Sequence, residues 1–358
     1  MSDLVTPLPL KSGATLKNRF VLAPLTNTQS NDDGTLSDDE FRWLTMRAQG
    51  GFALTMTCAS HVQAQGRGFR GQLGNFSESH LPGLTRLATA IKAAASLAVT
   101  QLHHAGMRSP PGLIGGAPLC PSDDTETGAR AMTLQEVLQV REDFIEAAAR
   151  AQRAGFDGAE IHGAHGYLLC QFLSAETNRR EDQYGGSLEN RARLLFEVVD
   201  GVRERCGPGF VLGVRLSPER FGMRLPEVRE VAQRLMHGGR IDFLDLSLWD
   251  IFKEPEYEAC RGRSLLSWFT DLDRGEVRLG AAGKIMSGPD ALACLEAGAD
   301  FAVIGRAAVL HHDFPLKVEA DPGFHAVATP VTEEYLHGEG LGPALVEYMR
   351  RWKGFVAD

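Results

Sequence analysis

Two histidines and a tyrosine, His162, His165 and Tyr167, follow directly on an apolar run over residues 158–161. A neutral imidazole can donate a hydrogen bond to a carbonyl oxygen or an anion. A phenol, whose pKa is about 10, can deliver a proton. The glycines beside these residues let the backbone approach another group closely. The three side chains therefore suit acid–base chemistry on a polarised oxygen.

Three interpretations of this triplet are open. It can act on a substrate, the two histidines can bind a metal ion, or the rings can be packed and hydrogen-bonded side chains. Polar residues at the carboxyl end of a buried strand are where α/β folds place their chemistry, which favours the first interpretation. A metal-dependent lyase or hydrolase with His162 and His165 as ligands is the alternative. It would need further carboxylate or His ligands from other strands.

The elements that position these side chains are short apolar runs that alternate with amphipathic helices, which predicts a parallel sheet. Eight such units within 358 residues are typical of a single-domain (β/α)8 TIM barrel. The competing doubly wound sheet would normally carry GxGxxG after its first strand, and the chain has none there. The predicted strands are 20–23, 52–57, 98–102, 158–161, 211–216, 243–246, 277–281 and 301–304.

Capping residues mark where the helices should begin. Ser37 is followed by three acidic residues and predicts a helix that ends near Gln49. Thr133 has Glu136 at the capping-box distance and predicts a long helix that ends near Ala154. Each of these helices lies between two consecutive predicted strands, as the barrel requires.

All strand ends of such a barrel open on one face, so the residues that follow the strands would surround one pocket. The loops after the seventh and eighth strands often bind phosphate, and here they contain Gly283, Gly305 and Arg306. Gln101 and Arg215, near the ends of two other strands, suit a flat electron-poor heterocycle. A structural role stays open for both, with Gln101 bonded to a loop carbonyl and Arg215 in an ion pair.

Composition narrows the class of protein. Hydrophobic residues make up 43% and charged residues 23% of the chain, as in an ordinary soluble globular protein. A net charge of −9 disfavours nucleic acid or an anionic membrane as a main partner. The six cysteines are scattered without a CxxC motif, which argues against an iron–sulfur or structural zinc site. With no signal peptide and no long apolar run, we expect a cytoplasmic protein.

Taken together, several segments resemble the Old Yellow Enzyme family of FMN-dependent NADH:flavin oxidoreductases and ene-reductases. They occur in the family's order between about residues 10 and 310, and the stretch 154–191 is highly specific. The matching segments are 17–20 with 23–24, 65–67, 101–106, 154–158 through 172–174, 178–187 with 190–191, 214–216 and 304–306.

The resemblance implies an NAD(P)H-dependent ene-reductase whose barrel holds FMN across its mouth. His162 and His165 would hold the carbonyl oxygen of an α,β-unsaturated substrate. Tyr167 would protonate the α-carbon after flavin N5 gives hydride to the β-carbon. The resemblance also implies which residues contact FMN. Those along the ring are Ala23, Pro24, Leu25, Thr26, Ala59, Gln101 and Arg215. Those in the phosphate loops are Gly283, Ser287, Gly305 and Arg306.

Departures from the family leave the native substrate open, and the sequence alone does not determine whether NADH or NADPH is preferred. Thr26 stands where one subgroup carries a redox-tuning cysteine. The tail over residues 330–358 does not match the family, and its helical part, 343–352, would cover either the barrel mouth or a partner subunit. A homo-oligomer is therefore possible, whereas a nucleic-acid or membrane partner is not expected.

Overall fold

The computed structural model of this chain describes residues 2–357 and contains a closed barrel of eight parallel strands. This confirms the predicted (β/α)8 architecture. Each strand pairs with its neighbours along the chain, and the eighth pairs with the first to close the ring. The strands are β1 Phe20–Leu22, β2 Leu54–His61, β3 Leu97–His103, β4 Gly158–Gly163, β5 Val211–Leu216, β6 Phe243–Ser247, β7 Arg278–Ala282 and β8 Phe301–Ile304.

Helices surround the barrel and fill its longer loops. They span Asp38–Gln49, Leu81–Ala93, Pro111–Ile114, Leu134–Arg153, Leu168–Leu173, Leu188–Cys206, Leu225–His237, Ser267–Thr270, Gly288–Glu296, Arg306–Leu310, Phe314–Ala320, Glu333–Gly338 and Pro343–Arg350. Two pairs of two-residue strands lie outside the barrel, Leu8–Pro9 with Thr15–Leu16 and Leu119–Cys120 with Arg130–Ala131. In the part of the chain that the structure covers, no helix has both the length and the apolar character to cross a membrane.

The predicted helix starts are confirmed at atomic detail. Thr133 and Glu136 form a reciprocal capping box, in which each side chain accepts a hydrogen bond from the other residue's backbone N–H. Ser37 accepts from the backbone N–H of Glu40 at 3.1 Å. These bonds satisfy amide groups that have no partner inside the helix, which fixes where each helix begins.

Side chains on the barrel strands alternate between the surrounding helices and the barrel interior, as the two-residue period of a strand requires. On β6, Leu244 and Leu246 belong to the large apolar cluster shared with the helices, whereas Phe243 belongs to a smaller cluster with the amino-terminal hairpin. Phe243 packs edge-on against Phe301 at 5.8 Å. Apolar side chains thus fill the amino-terminal end of the barrel and leave the polar groups at its carboxyl end.

Strand and helix ends differ from the sequence prediction by a few residues. β2 continues to His61, beyond the predicted end at residue 57, because it keeps pairing with β3 after its apolar run has ended. β4 likewise continues to Gly163, so that His162 lies within the strand. Segment 112–124, predicted as an irregular loop, includes most of the short helix Pro111–Ile114 and one of the two-residue strands.

Candidate active site

Two adjoining cavities open at the carboxyl end of the barrel, with volumes of about 680 Å³ and about 200 Å³. Together they are lined by all but one of the site residues predicted from the sequence. The residues common to both are Ala23, Leu25, His165, Arg215 and Trp352. The larger cavity adds Gly283, Gly305 and Arg306, and the smaller one adds Pro24, Thr26, Ala59, Gln101, His162 and Tyr167.

Ser287 is the predicted site residue that lines neither cavity. Its side chain is buried, and its hydroxyl accepts a hydrogen bond from the backbone N–H of Asp290 at 3.1 Å. Ser287 therefore caps the helix Gly288–Glu296, in the loop that follows β7. The serine side chain in this loop is engaged with the protein itself.

A β-bulge places one of the predicted ring contacts. β2 and β3 pair at Met56 with Val99 and again at Ala59 with Gln101, so β2 carries one extra residue between these two pairs. Such a bulge turns the strand and redirects the side chains that follow it. The bulge brings Ala59 opposite Gln101 at the wall of the smaller cavity.

The two histidines are linked to each other and to the next strands. His162 Nε2 lies 3.1 Å from His165 Nδ1, and His165 Nε2 lies 2.7 Å from Ser247 Oγ. The backbone of His165 is left-handed, with φ of 60°, and its N–H donates to Ser217 Oγ at 3.0 Å. Residues from β6 and from the end of β5 thus hold the turn that presents His165.

Both imidazoles are neutral at ordinary pH. Burial, with a smaller contribution from the Arg215 guanidinium, lowers the pKa of His165 to about 3. Burial also holds the pKa of His162 well below its usual range, with His165 and Arg215 acting in the same direction. A neutral imidazole keeps one N–H, so each ring can still donate one hydrogen bond to an oxygen atom.

Tyr167 lies beside the histidine pair with its hydroxyl available. Its ring packs edge-on against His103 at 4.4 Å and against His162 at 5.2 Å. Burial raises the pKa of Tyr167, and Arg108, whose guanidinium lies 5.0 Å from the ring centre, opposes that rise. No group within residues 2–357 forms a hydrogen bond with the Tyr167 hydroxyl. The phenol is therefore protonated and free to deliver its proton into the cavity.

A buried polar layer lies beneath the two cavities. Gln101 Nε2 donates to Glu160 Oε2 at 2.5 Å, and Arg215 Nε lies 3.1 Å from Asp245 Oδ2 in an ion pair. Burial raises the pKa of Glu160 to about 8, the charge of Asp245 adds to the rise, and Arg215 opposes it. Burial raises the pKa of Asp245 as well. Arg215 thus lines the cavity and also forms the ion pair that the sequence left open.

The lining residues fit the FMN that the sequence resemblance implies. The Arg306 side chain is exposed at the larger cavity and forms no ion pair or hydrogen bond with other residues of the described chain, as a phosphate ligand should. Gly283 passes so close to the loop after β6 that a Cβ would lie 2.6 Å from the backbone nitrogen of Asp250. At the other end, Gln101 and Arg215 offer polar atoms to a ring edge.

The sequence did not predict several residues that line the smaller cavity, some of them in the carboxyl-terminal tail. The carboxyl-terminal tail folds over the barrel mouth of its own chain, which is one of the two positions expected for it. The backbone N–H of Gly342 donates to Gln29 Oε1 at 2.8 Å and anchors the helix Pro343–Arg350 at its start. The cavity residues that the sequence did not identify are Trp43, Phe69, Val309, Leu345, Tyr348, Met349 and Trp352.

A metal centre at the histidine pair would lack ligands. Among residues 2–357, the one group of His, Cys, Asp and Glu side chains compact enough to hold an ion is His312, Asp313 and Glu339. Neither His162 nor His165 belongs to it. The arrangement therefore gives the metal-dependent alternative no third protein ligand.

Comparison with known proteins is consistent with this geometry. The model of the NADH:flavin oxidoreductase / NADH oxidase family matches residues 3–322. The "probable NADH-dependent flavin oxidoreductase YqiG" of Bacillus subtilis is 36% identical over 88% of this chain and 87% of its own length. An NADPH dehydrogenase of Bacillus licheniformis is 37% identical over 85% of this chain and 90% of its own.

Solved structures are similar across the whole barrel. The old yellow enzyme homologue from Zymomonas mobilis superimposes with a TM-score of 0.79 at 28% identity, over 93% of this chain and 96% of that one. Some relatives are longer, and the chain spans 38% and 53% of the length of two of them.

Proposed function

The chain belongs to the NADH:flavin oxidoreductase / NADH oxidase family, and from this premise we propose that it reduces the activated C=C bond of α,β-unsaturated carbonyl compounds. It is an FMN-dependent oxidoreductase of the Old Yellow Enzyme type that takes its electrons from NADH or NADPH. The proposal concerns the substrate class and the roles of individual residues.

FMN, when bound, supplies the hydride that NAD(P)H has delivered to it. We assign its phosphate to Arg306 with Gly283 and Gly305, and its ring to the wall formed by Ala23, Pro24, Leu25, Thr26 and Ala59. Gln101 and Arg215 would meet the polar edge of the ring. For Ser287 we assign only an indirect role, because its hydroxyl caps the following helix.

His162 and His165 hold the carbonyl oxygen of the substrate in this proposal. Their facing atoms, Nε2 and Nδ1, are 3.1 Å apart, so one ring donates to the other until an oxygen atom enters and replaces that bond. An oxygen atom placed beside both would accept two hydrogen bonds from neutral donors. These bonds strengthen as negative charge develops on that oxygen, which stabilises an enolate-like transition state.

Tyr167 delivers the proton that completes the reduction. Its hydroxyl faces no competing acceptor among the described residues, and burial holds its pKa above the usual value, so the proton is present at neutral pH. General-acid groups of this kind contribute about 10²–10⁴ in rate.

The observation that carries this proposal is the convergence of three groups on one cavity. The neutral histidine pair and the unpartnered Tyr167 hydroxyl line the same space as Gln101 and Arg215. One spectrum tests it: the purified protein should be yellow, bleach with NAD(P)H and recover its colour when cyclohexenone is added. A colourless protein that cannot be reconstituted with FMN would refute the proposal.

Tyr167→Phe tests the proton donor separately. Alkene reduction should slow by about 10²–10⁴, whereas reduction of the flavin by NAD(P)H should stay largely unchanged. Tyr348→Phe is a matched control, because Tyr348 lines the same cavity. Equal losses in both half-reactions of Tyr167→Phe, or the loss appearing in Tyr348→Phe instead, would contradict the assignment.

We also propose that the chain forms a single FMN-binding domain, acts on a small-molecule substrate and works in the cytoplasm. Whether it forms a homo-oligomer is left open. The six cysteines are buried and unpaired, which supports a reducing compartment.

A further inference from the structure

We propose that Arg108 and Arg220 form an oxyanion subsite at the rim of the active site. The inference rests on the proposed function and extends it, because it states which charged group the reacting molecule carries. The ligand chemistry is an oxyanion attached to the molecule at His165 and Tyr167: either a carboxylate on the unsaturated substrate or a phosphate of NAD(P)H.

The subsite is a further opening of about 580 Å³ beside the reaction centre. His165 and Tyr167 line it, so a molecule held at these two side chains can extend into it. Among the residues that the structure describes, no acidic side chain lines it. Its lining residues are Arg108, His165, Tyr167, Arg220, Phe221 and Trp249.

Arg108 brings an uncompensated positive charge to the reaction centre. One of its guanidinium nitrogens, Nη1, donates to the backbone carbonyl of His165 at 2.5 Å, and the group lies over the Tyr167 ring. Arg108 forms no ion pair with any carboxylate in residues 2–357. Its remaining N–H groups are free to bind an oxyanion in a charge-assisted, bidentate way.

Arg220 faces the same opening from the loop after β5. Its guanidinium lies 4.8 Å from the Trp249 ring centre, and its Nε donates to Glu256 at 2.8 Å. Both Nη groups of Arg220 lack a partner in the described chain. Glu256 is shared with Lys253, so it offsets only part of the positive charge here.

The backbone around this opening is held in an uncommon conformation. His165, Arg220, Phe221 and Trp249 have φ values of 60°, 68°, 55° and 65°, although none of them is glycine. Four of the six lining residues are therefore left-handed. Such strain persists only where the surrounding structure enforces it, and it clusters at ligand-binding sites.

The protein as a whole carries a charge of −9, so an anion approaching at random is repelled. A local pair of arginines reverses this field at the entrance and attracts an anionic ligand to the reaction centre. Trp249, which is 54% exposed, adds a flat apolar surface beside the charges.

The test compares charged and neutral versions of each reactant in the FMN-loaded enzyme. The reductants are NADPH, NADH and the phosphate-free benzyl dihydronicotinamide. The oxidants are β-acetylacrylate and its methyl ester. Tetrahydro-NADPH, which transfers no hydride, gives an equilibrium dissociation constant by calorimetry that does not depend on turnover. The variants are Arg108→Gln and Arg220→Gln, and the matched control is Arg224→Gln, an exposed arginine that lines none of the three cavities.

We expect each variant to weaken binding of the charged ligand by roughly ten-fold relative to its neutral counterpart, because one charge-assisted hydrogen bond is lost. The ratio of charged to neutral ligand cancels any general effect on Tyr167. If affinity is lost only for NAD(P)H and tetrahydro-NADPH, the subsite binds phosphate. If it is lost only for β-acetylacrylate, the subsite binds a carboxylate.

Equal losses of affinity for charged and neutral ligands, or no loss of affinity in either variant, would overturn the proposal of this subsite. Failure of the proposed function is distinguishable, because the unmodified protein would then fail to reduce the neutral methyl ester with any reductant. Binding of tetrahydro-NADPH would still report on the two arginines in that case.

Discussion

Replacing Glu160 by glutamine should stabilise the protein more at about pH 7.5 than at about pH 5.5. The Glu160 side chain is fully buried, Oε2 accepts from Gln101, and Oε1 has no partner. Burial and the neighbouring Asp245 raise its pKa to about 8, against the opposing effect of Arg215. Glutamine is neutral, has the same shape and can still accept the hydrogen bond from Gln101.

The sign and size of the effect follow from proton linkage. Between pH values of about 4.5 and about 8 the folded chain keeps a proton on Glu160 that the unfolded chain releases. Stability therefore falls as pH rises through this window, by up to about 1.4 kcal/mol per pH unit. Because burial also raises the pKa of the neighbouring Asp245, part of the proton uptake falls on that group, and we expect roughly 2 kcal/mol rather than the full value over two units. Glu160→Gln removes this loss.

Urea unfolding of wild type and variant at both pH values measures the difference. Glu296→Gln is the control, since Glu296 is exposed and has no partner among the described residues. Infrared difference spectra provide a second readout, because the band of a protonated carboxyl group should disappear in Glu160→Gln. A stability difference that does not change with pH, or that favours the variant more at low pH, would refute the assignment of a retained proton to Glu160.

Three further predictions concern the cofactor and the substrate cavity. Arg306→Gln should weaken FMN binding by about ten-fold or more, measured by the fluorescence of released flavin. The control Arg224→Gln should leave the affinity for FMN unchanged. An unchanged affinity in Arg306→Gln would refute the phosphate contact. Trp352→Ala removes a side chain that lines both cavities, so the kcat/KM for a bulky enone should rise relative to the kcat/KM for cyclohexenone. Trp268 lies outside the cavities, so Trp268→Ala should leave this ratio unchanged. An unchanged ratio in Trp352→Ala would mean that the tail does not limit substrate size. His162→Ala should weaken binding of p-hydroxybenzaldehyde, followed by the visible spectrum of the flavin, and retention of full affinity would exclude this ring as a ligand of the phenol oxygen.

The sequence by itself determined the order and type of the barrel elements. Apolar runs of four to six residues and caps such as Thr133 with Glu136 act over a few neighbouring residues, so their signal survives without tertiary contacts. The same holds for the cluster His162, His165 and Tyr167, which one strand and its loop place together. Element ends were displaced by a few residues, as where pairing with β3 extends β2, and segment 112–124 contains a short helix and a short strand that the sequence did not predict.

Tertiary structure decided which distant groups meet. Glu160, Arg215 and Asp245 lie on three different strands, and only strand register and barrel closure bring them into one buried layer whose charges shift one another's pKa values. The tail reaches the mouth through long-range packing that no local pattern encodes, and Trp352 thereby lines the same cavities as His165. Local order follows from short-range preferences along the chain, whereas the electrostatics and the size of the cavity depend on contacts between residues far apart in sequence.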